Sequence, residues 1–178
     1  EYDLIVAGVG TAGAIAALAA AESGVKVGCM ERLAMAGGTA TAGGLPVYYY
    51  GIPGGRYADV DAGAEACFGT DFVESYKFSF HPDAKGMAIE DKLLQTGAEI
   101  HFETTVIGVF LDDDGVTVRG VRAVTPAGVC CFGCRMLIDA TGNGEVCAIA
   151  GAAYSEGRKS DGKPQPFSSI RLFRRDAG

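Results

Sequence analysis

The stretch Gly8-Val9-Gly10-Thr11-Ala12-Gly13 has the spacing G-x-G-x-x-G. It follows the apolar run 2–7, which predicts a buried strand, and precedes the alanine-rich run 14–23, which predicts a helix ending at Gly24. The run 25–30 predicts a second strand, so the first thirty residues or so form a β-α-β unit. In this setting the glycines allow a tight turn, a close backbone approach to a pyrophosphate, and close packing of helix on strand. The stretch therefore predicts a dinucleotide site at the N-terminus of a helix.

Glu31 stands at the end of the second predicted strand, roughly 20 residues beyond the glycine turn. An acidic residue at that place accepts a hydrogen bond from a ribose hydroxyl and repels the additional phosphate of NADP. The alternative is a solvent-exposed glutamate beside an incidental glycine turn. Because strand, turn, helix, strand and acid occur in the required order, we favour a ribose-binding role.

A second glycine-rich segment follows, Gly37-Gly38-Thr39-Ala40-Thr41-Ala42-Gly43-Gly44. A plain NAD-binding fold would continue directly into further β-α units. A second close approach of backbone to ligand instead suggests a longer cofactor, which favours FAD over NAD. The alternative is a flexible surface loop, which fits poorly with the apolar residues on either side.

The rest of the chain alternates between helical and strand-like periods. Helices are predicted at 59–68, at 84–95 with Gly97 as the stop, and at 145–150, with a turn at His81-Pro82. Three strands at 106–111, 116–125 and 129–134 form an antiparallel meander whose first turn is the Asp-Gly sequence at 112–115. A separate buried strand is predicted at 135–140. A further strand is predicted at 168–173, where a new structural unit would begin.

These elements predict an α/β fold: a Rossmann-like FAD-binding domain with a parallel central sheet and a three-stranded antiparallel β-meander. The length favours one domain over 1–178. Within it, 1–44 is the β-α-β unit with the second glycine segment and 45–97 a helical and loop insertion. Residues 98–151 hold the meander and its closing turn, and 152–178 start a following region.

Composition excludes several other classes. The net charge is −7 and no basic patch is visible, so nucleic acid is not an expected partner. No uninterrupted apolar stretch is long enough to span a bilayer, and no signal peptide is evident. The six cysteines are read as free thiols in a reducing, cytoplasmic setting, since a chain of this size needs no disulfides. The two histidines are too far apart in sequence to suggest a metal site, and His101 is predicted to face solvent.

The sequence resembles the FAD-dependent oxidoreductases of the glutathione-reductase-like superfamily, in particular the branch with fumarate-reductase-like proteins. The resemblance is carried by 2–13, 31–44, 105–109 and 138–151. Ile138-Asp139-Ala140-Thr141-Gly142-Asn143-Gly144-Glu145 is similar to the family's DATGDGD turn, with Asn143 where an aspartate is usual.

The resemblance implies a set of cofactor contacts. Residues of the first turn would face the diphosphate, Glu31 with Arg32 beside it would hold the adenosine ribose, and Val106 would meet adenine through its backbone. The second segment would lie along the diphosphate and ribityl chain, and the later turn would close over the cofactor. The other implied contacts are Gly8, Gly10, Thr11, Ala12, Gly13, Gly38, Thr39, Ala40, Ala140, Thr141 and Gly142.

The function implied is flavin-mediated hydride or electron transfer on a small-molecule substrate, with a homo-oligomer left open. The acid or base that completes it is not identified, and the chain is expected to be the N-terminal portion of a longer enzyme. The alternatives are a non-catalytic FAD-binding module and an NAD-dependent dehydrogenase. Cys131-Phe132-Gly133-Cys134 has the C-x-x-C spacing of a redox pair, but its place in a strand favours structural cysteines. His81 is a weaker candidate for a contact with substrate, and one of the tyrosines at 48–50 is a weaker candidate for packing near the isoalloxazine ring.

Overall fold

A computed structural model describes residues 1–47, 54–68 and 80–164. A six-stranded sheet with the order β3-β2-β1-β6-β5-β4 forms its centre. The strands are β1 (Tyr2–Ala7), β2 (Val27–Met30), β3 (Glu99–His101), β4 (Thr105–Leu111), β5 (Val118–Thr125) and β6 (Gly128–Asp139). The helices are α1 (Thr11–Glu22), α2 (Arg56–Phe68), α3 (Pro82–Gln95) and α4 (Glu145–Ile149), with a 3₁₀ turn at Gly38–Ala40. The prediction for 168–173 and the tyrosines at 48–50 lie outside the described residues.

The first half of the sheet is parallel, as predicted. β1 pairs with β2 on one side and with β6 on the other, and β2 pairs with β3. α1, α2 and α3 cover one face, where Val6, Ala17 and Leu93 belong to a common buried cluster. Ile5, Met30 and Val121 are buried on the opposite face. Parallel strands buried on both faces explain why β1 and β2 read as continuous apolar runs.

The second half is the predicted antiparallel meander, with β4 against β5 and β5 against β6. The two separate strands predicted at 129–134 and 135–140 are wrong, because β6 is one continuous strand. Its first half pairs with β5 and its second half with β1. The local pattern cannot reveal this, since the strand changes its partner without changing its own conformation.

The prediction that 135–140 is buried is also wrong in part. Met136 is 67% exposed and Ile138 is 36% exposed. Both side chains stand beside β1, opposite Leu4 and Val6 in register. Their exposure follows from their position at the border of the parallel part of the sheet.

The turn predicted at His81-Pro82 is the beginning of α3. His81 is the N-cap residue, and its Nδ1 accepts the backbone N–H of Asp83 at 3.2 Å. Pro82 occupies the first position of the helix, where a missing N–H costs no hydrogen bond. The helix ends near Gly97, which has a φ of +78°.

His101 does not face solvent, contrary to the prediction. Its Nε2 lies 2.7 Å from the hydroxyl of Tyr2, which donates to Glu99 at 2.6 Å. The Tyr2 ring lies against Gly28 on its way to His101 and Glu99. A Cβ at Gly28 would lie 2.8 Å from that ring, so a glycine leaves the space that the ring occupies. Burial, and then Glu99, raise the pKa of the Tyr2 hydroxyl. Strand alternation predicts only the side of β3 on which His101 lies, and the meander covers that side through Phe132.

All six cysteines are unpaired, and Cys29 and Cys134 are buried. Among the described helices, none has the length and apolar character needed to cross a membrane.

Candidate functional site

A cavity of about 530 Å³ opens at the carboxyl ends of β1, β2 and β6. This is the edge at which open α/β sheets bind their ligands, and the volume is that of a small-molecule site. The predicted site residues that line it are Gly8, Gly10, Thr11, Ala12, Glu31, Arg32, Gly38, Thr39, Val106, Ala140, Thr141 and Gly142. The fold thus brings together residues from four distant parts of the sequence.

Gly8 and Gly13 are required by the protein itself. Gly8 has a φ of +88°, and a Cβ there would lie 2.5 Å from the carbonyl oxygen of Ala140. A Cβ at Gly13 would overlap the carbonyl oxygen of Gly8 and lie 2.9 Å from the Cβ of Ala140. Gly13 is buried in α1 and does not line the cavity. Its role is to allow α1 to pack closely against the turn that follows β1.

Gly10 is not required by the protein. Its φ of −72° and ψ of −166° are open to any residue. A Cβ there would meet only the Cα of Gly38, at an ordinary 3.9 Å. Neither backbone conformation nor internal packing demands glycine at this cavity-lining position, and the missing side chain leaves space for a ligand to approach the backbone closely.

The N-terminus of α1 opens into the same cavity. Gly10 is its N-cap, no side chain caps it, and its first turn contains no acidic residue. Thr11 and Ala12 line the cavity. The first N–H groups of this 12-residue helix therefore keep their hydrogen-bonding capacity, and together with the positive end of the helix dipole they suit an anion such as a phosphate.

Glu31 is buried, with 4% of its surface exposed. Its Oε2 accepts the N–H of Val9 at 2.8 Å, and its Oε1 accepts the N–H of Leu33 at 2.9 Å. An ionised carboxylate has about four acceptor positions, so two remain for a ligand hydroxyl. The alternative of a solvent-exposed glutamate is therefore wrong.

The second glycine segment packs directly on the first. The N–H of Gly37 donates to the carbonyl of Val9 at 2.7 Å, which makes a parallel bridge between Gly10 and Gly37. A Cβ at Gly38 would lie 3.0 Å from the Cα of Gly10. Ala36 and Thr41 are buried, so the alternative of a flexible surface loop is wrong. Ala40 is buried as well and stands just outside the cavity lining.

The turn after β6 is shaped by Asp139, which the sequence did not single out. Its carboxylate accepts the N–H and hydroxyl of Thr141 at 3.0 and 2.7 Å, and the N–H of Cys147 at 2.7 Å. Burial opposes ionisation of Asp139, but these hydrogen bonds outweigh it and hold its pKa below the usual range. The signal was available, because an aspartate two residues before a threonine and ahead of a helix is a capping pattern.

Several further lining residues were also missed: Ala7, Met30, Leu33, Ala42, Gly43, Thr104, Thr105, Glu145 and Val146. Four of them, Ala7, Met30, Leu33 and Thr105, are immediate neighbours of predicted positions. Thr104 differs, because its place depends on a contact between its N–H and the carbonyl of Glu31 at 2.8 Å. No local pattern announces such a contact.

Cys131 and Cys134 lie away from the cavity. Cys131 is exposed and Cys134 is buried beside Tyr2 and Ile5. Burial raises the pKa of the Cys134 thiol. This is the arrangement of a structural cysteine and a surface cysteine.

A family model described as FAD dependent oxidoreductase matches residues 3–177. A thiamine thiazole synthase from Archaeoglobus fulgidus is 31% identical over 160 residues, which is 84% of this chain and 60% of that protein.

Solved structures share the fold. An L-proline dehydrogenase from P. horikoshii superposes with a TM-score of 0.61 at 13% identity, over 85% of this chain and 56% of that chain. THI4 from Thermovibrio ammonificans superposes with a TM-score of 0.59 at 17% identity, over 83% and 60%. This chain therefore spans between 56% and 60% of the length of these relatives.

Proposed function

Because the chain belongs to the FAD-dependent oxidoreductase family, we propose that it forms the FAD-binding part of an enzyme that oxidises or reduces a small molecule. FAD is the family's cofactor, and its isoalloxazine ring supplies the redox chemistry when bound. The observation that carries the proposal is Gly10, a cavity-lining glycine at which the protein leaves space for the close approach of a ligand. The protein itself would bind the cofactor, orient it and shield it from water.

The diphosphate is assigned to the junction of the two glycine segments. Gly10, Thr11 and Ala12 would offer backbone N–H groups and the positive end of α1 to its oxygens. Gly8, whose N–H donates to the carbonyl of Met30 at 2.7 Å, would face the diphosphate as part of the turn. Gly13 would support that turn by allowing α1 to pack closely against Gly8. Gly38, Thr39 and Ala40 would follow the diphosphate and ribityl chain on the other side, a role supported by the bridge between Gly10 and Gly37.

The adenosine half is assigned to the ends of β2 and β4. Glu31 would accept hydrogen bonds from ribose hydroxyls, with Arg32 beside it at the cavity mouth. Val106 would meet adenine through its backbone, supported by the shift in pairing register between Val106 and Gly108, which relaxes the regular ladder there. Ala140, Thr141 and Gly142 would close over the cofactor.

The substrate and the groups that move protons are assigned to parts of a longer protein. The relatives above are longer than this chain, which supports a separate substrate-binding part. The unpaired cysteines agree with a reducing cytoplasmic setting. A non-catalytic FAD-binding module is the remaining alternative, and the family membership disfavours the NAD-dependent dehydrogenase.

Cofactor identity is tested by purifying the chain, adding FAD, FMN or NAD in separate samples, and removing excess ligand. We expect FAD alone to be retained, with flavin absorbance in the protein fraction and intact FAD released on denaturation. Retention of NAD or FMN in preference to FAD, or retention of none, would contradict the proposal.

Catalysis is tested separately with the longer protein. Anaerobic bleaching of bound FAD by a panel of amines, alcohols and hydroxy acids, or its reoxidation by an acceptor, would support an enzyme. A holoprotein that neither accepts nor releases electrons would favour the non-catalytic module.

A further inference from the structure

α3 contacts the start of the second glycine segment and the two residues that precede it. The Oε1 atom of Glu90 accepts the backbone N–H of Ala36 at 3.1 Å. One helical turn earlier, Gly86 meets the same stretch, since a Cβ there would lie 3.2 Å from Cε of Met35 and 3.5 Å from the carbonyl oxygen of Ala36. Positions four apart lie on one helix face, so α3 presents a small residue and a carboxylate to this segment.

Ala36 depends on this contact. It has 0% of its surface exposed, so its N–H is shielded from bulk water. Its carbonyl accepts the hydroxyl of Thr41 at 2.6 Å, which closes the segment on itself. Without the Glu90 carboxylate the buried N–H would lose its partner, at a free-energy cost that the local structure can avoid only by moving.

The hydrogen bond between Glu90 and Ala36 is linked to the proposed cofactor site through the neighbouring backbone. The residue after Ala36 is Gly37, whose N–H donates to the Val9 carbonyl at 2.7 Å. The N–H of Val9 donates to Glu31 at 2.8 Å. Two carboxylates, Glu31 just after β2 and Glu90 in α3, therefore accept backbone N–H groups on either strand of this paired backbone, at Val9 and at Ala36.

We propose that Glu90 is a positioning residue for FAD: it holds the second glycine segment against the first in the conformation that receives the cofactor's diphosphate. Glu90 does not line the cavity, so it acts through Ala36 and Gly37. The inference rests on the proposed FAD site and adds to it α3, an element that lies outside the β-α-β unit. The close approach of α3 at Gly86 agrees with this role.

The test compares three variants of the chain. Glu90→Ala removes the acceptor, Glu90→Gln keeps a carbonyl oxygen that can accept the Ala36 N–H, and Asp91→Ala is the matched control on the exposed side of the same helix. FAD dissociation constants, melting temperatures and amide hydrogen exchange over 36–41 are measured for each. The exchange rates report the segment directly and need no cofactor.

Glu90→Ala should weaken FAD binding about ten-fold and speed exchange over 36–41. Glu90→Gln should restore most of the affinity, and Asp91→Ala should match the unmodified chain. The inference is overturned if Glu90→Ala binds FAD as tightly as the unmodified chain, or if Glu90→Gln loses as much as Glu90→Ala. Should the unmodified chain fail to bind FAD, the proposed function fails, and unchanged exchange in Glu90→Ala would separately overturn the role of Glu90.

Discussion

Glu31 and Val9 are joined by a hydrogen bond of 2.8 Å, in which the Val9 N–H donates to a carboxylate that is only 4% exposed. Sequence spacing predicts that Glu31 binds ribose. The structure adds that the same side chain holds the first glycine turn through hydrogen bonds within the protein. Binding and stability are therefore coupled at this residue.

Glu31→Ala should lower both FAD affinity and the free energy of unfolding. Loss of the carboxylate leaves the N–H groups of Val9 and Leu33 without their acceptor, at a cost of about 1–3 kcal/mol for each group that finds no substitute. The measurement is a urea titration of the cofactor-free chain together with an FAD titration. Glu65→Ala, on the exposed side of α2, is the control and should change neither. A loss of affinity with unfolding unchanged would mean that Glu31 serves the ligand alone.

Gly10→Ala and Gly13→Ala should fail in different ways. The first adds a methyl group at a position with no close protein neighbour, so the cofactor-free chain should keep its stability to within about 1 kcal/mol. Its FAD affinity should fall at least about ten-fold, because the methyl group occupies space that the ligand needs. The second places a methyl group against the Gly8 carbonyl and should destabilise the fold. Thermal melts with and without FAD distinguish the two. Equal melting temperatures for both variants without FAD would refute this reading.

Asp139→Asn should make the turn after β6 insensitive to acid. Because the folded-state pKa of Asp139 lies below its ordinary value of 3.8, the ionised carboxylate adds stability above that value. This contribution is lost as the pH falls through the lower, folded-state pKa. The difference in unfolding free energy between the unmodified chain and Asp139→Asn should be about 1–3 kcal/mol near neutral pH and shrink below about pH 4. Urea titrations between pH 3 and 7 measure it, and a difference independent of pH would exclude the charge as its cause.

Cys131→Ser should be neutral, whereas Cys134→Ser should cost stability. Cys131 is exposed, but Cys134 has 5% exposure beside Tyr2 and Ile5, where a serine hydroxyl would be buried in apolar surroundings. We expect a loss of about 1–3 kcal/mol for Cys134→Ser and unchanged FAD binding for both variants. Flavin reduction in the longer protein should also survive both changes. Loss of reduction with FAD still bound would make the pair a redox relay.

The β-α-β unit could be predicted from sequence because its determinants are local. An apolar run, three glycines, an alanine-rich run and Glu31 all fall within about thirty residues. The bounds of β1 agree with the prediction, and the Asp-Gly turn likewise predicted the antiparallel pairing of β4 with β5. In each case the residues that decide the structure are close neighbours in the sequence.

Tertiary structure decided whatever depends on which surfaces meet. Sequence could not show that β6 serves two partners, because a strand has the same local pattern whichever neighbour it pairs with. It could not show that His101 is covered, since alternation assigns a face but does not say what lies above it. The acceptor role of Glu90 depends on a backbone N–H that lies 54 residues earlier in the chain.

The glycines of the first turn show the same difference between what the sequence predicts and what the tertiary structure decides. Sequence by itself predicted three glycines in one turn from the spacing G-x-G-x-x-G. Only the tertiary structure showed that they are there for different reasons. Gly13 is needed because α1 packs against Gly8 and Ala140, whereas a Cβ on Gly10 would meet no protein atom closer than 3.9 Å. The sequence pattern shows only that these positions lack a side chain. The reason is how close other atoms come to each glycine, and those distances are set only when the chain folds and brings Gly37 and Gly38 onto the first turn.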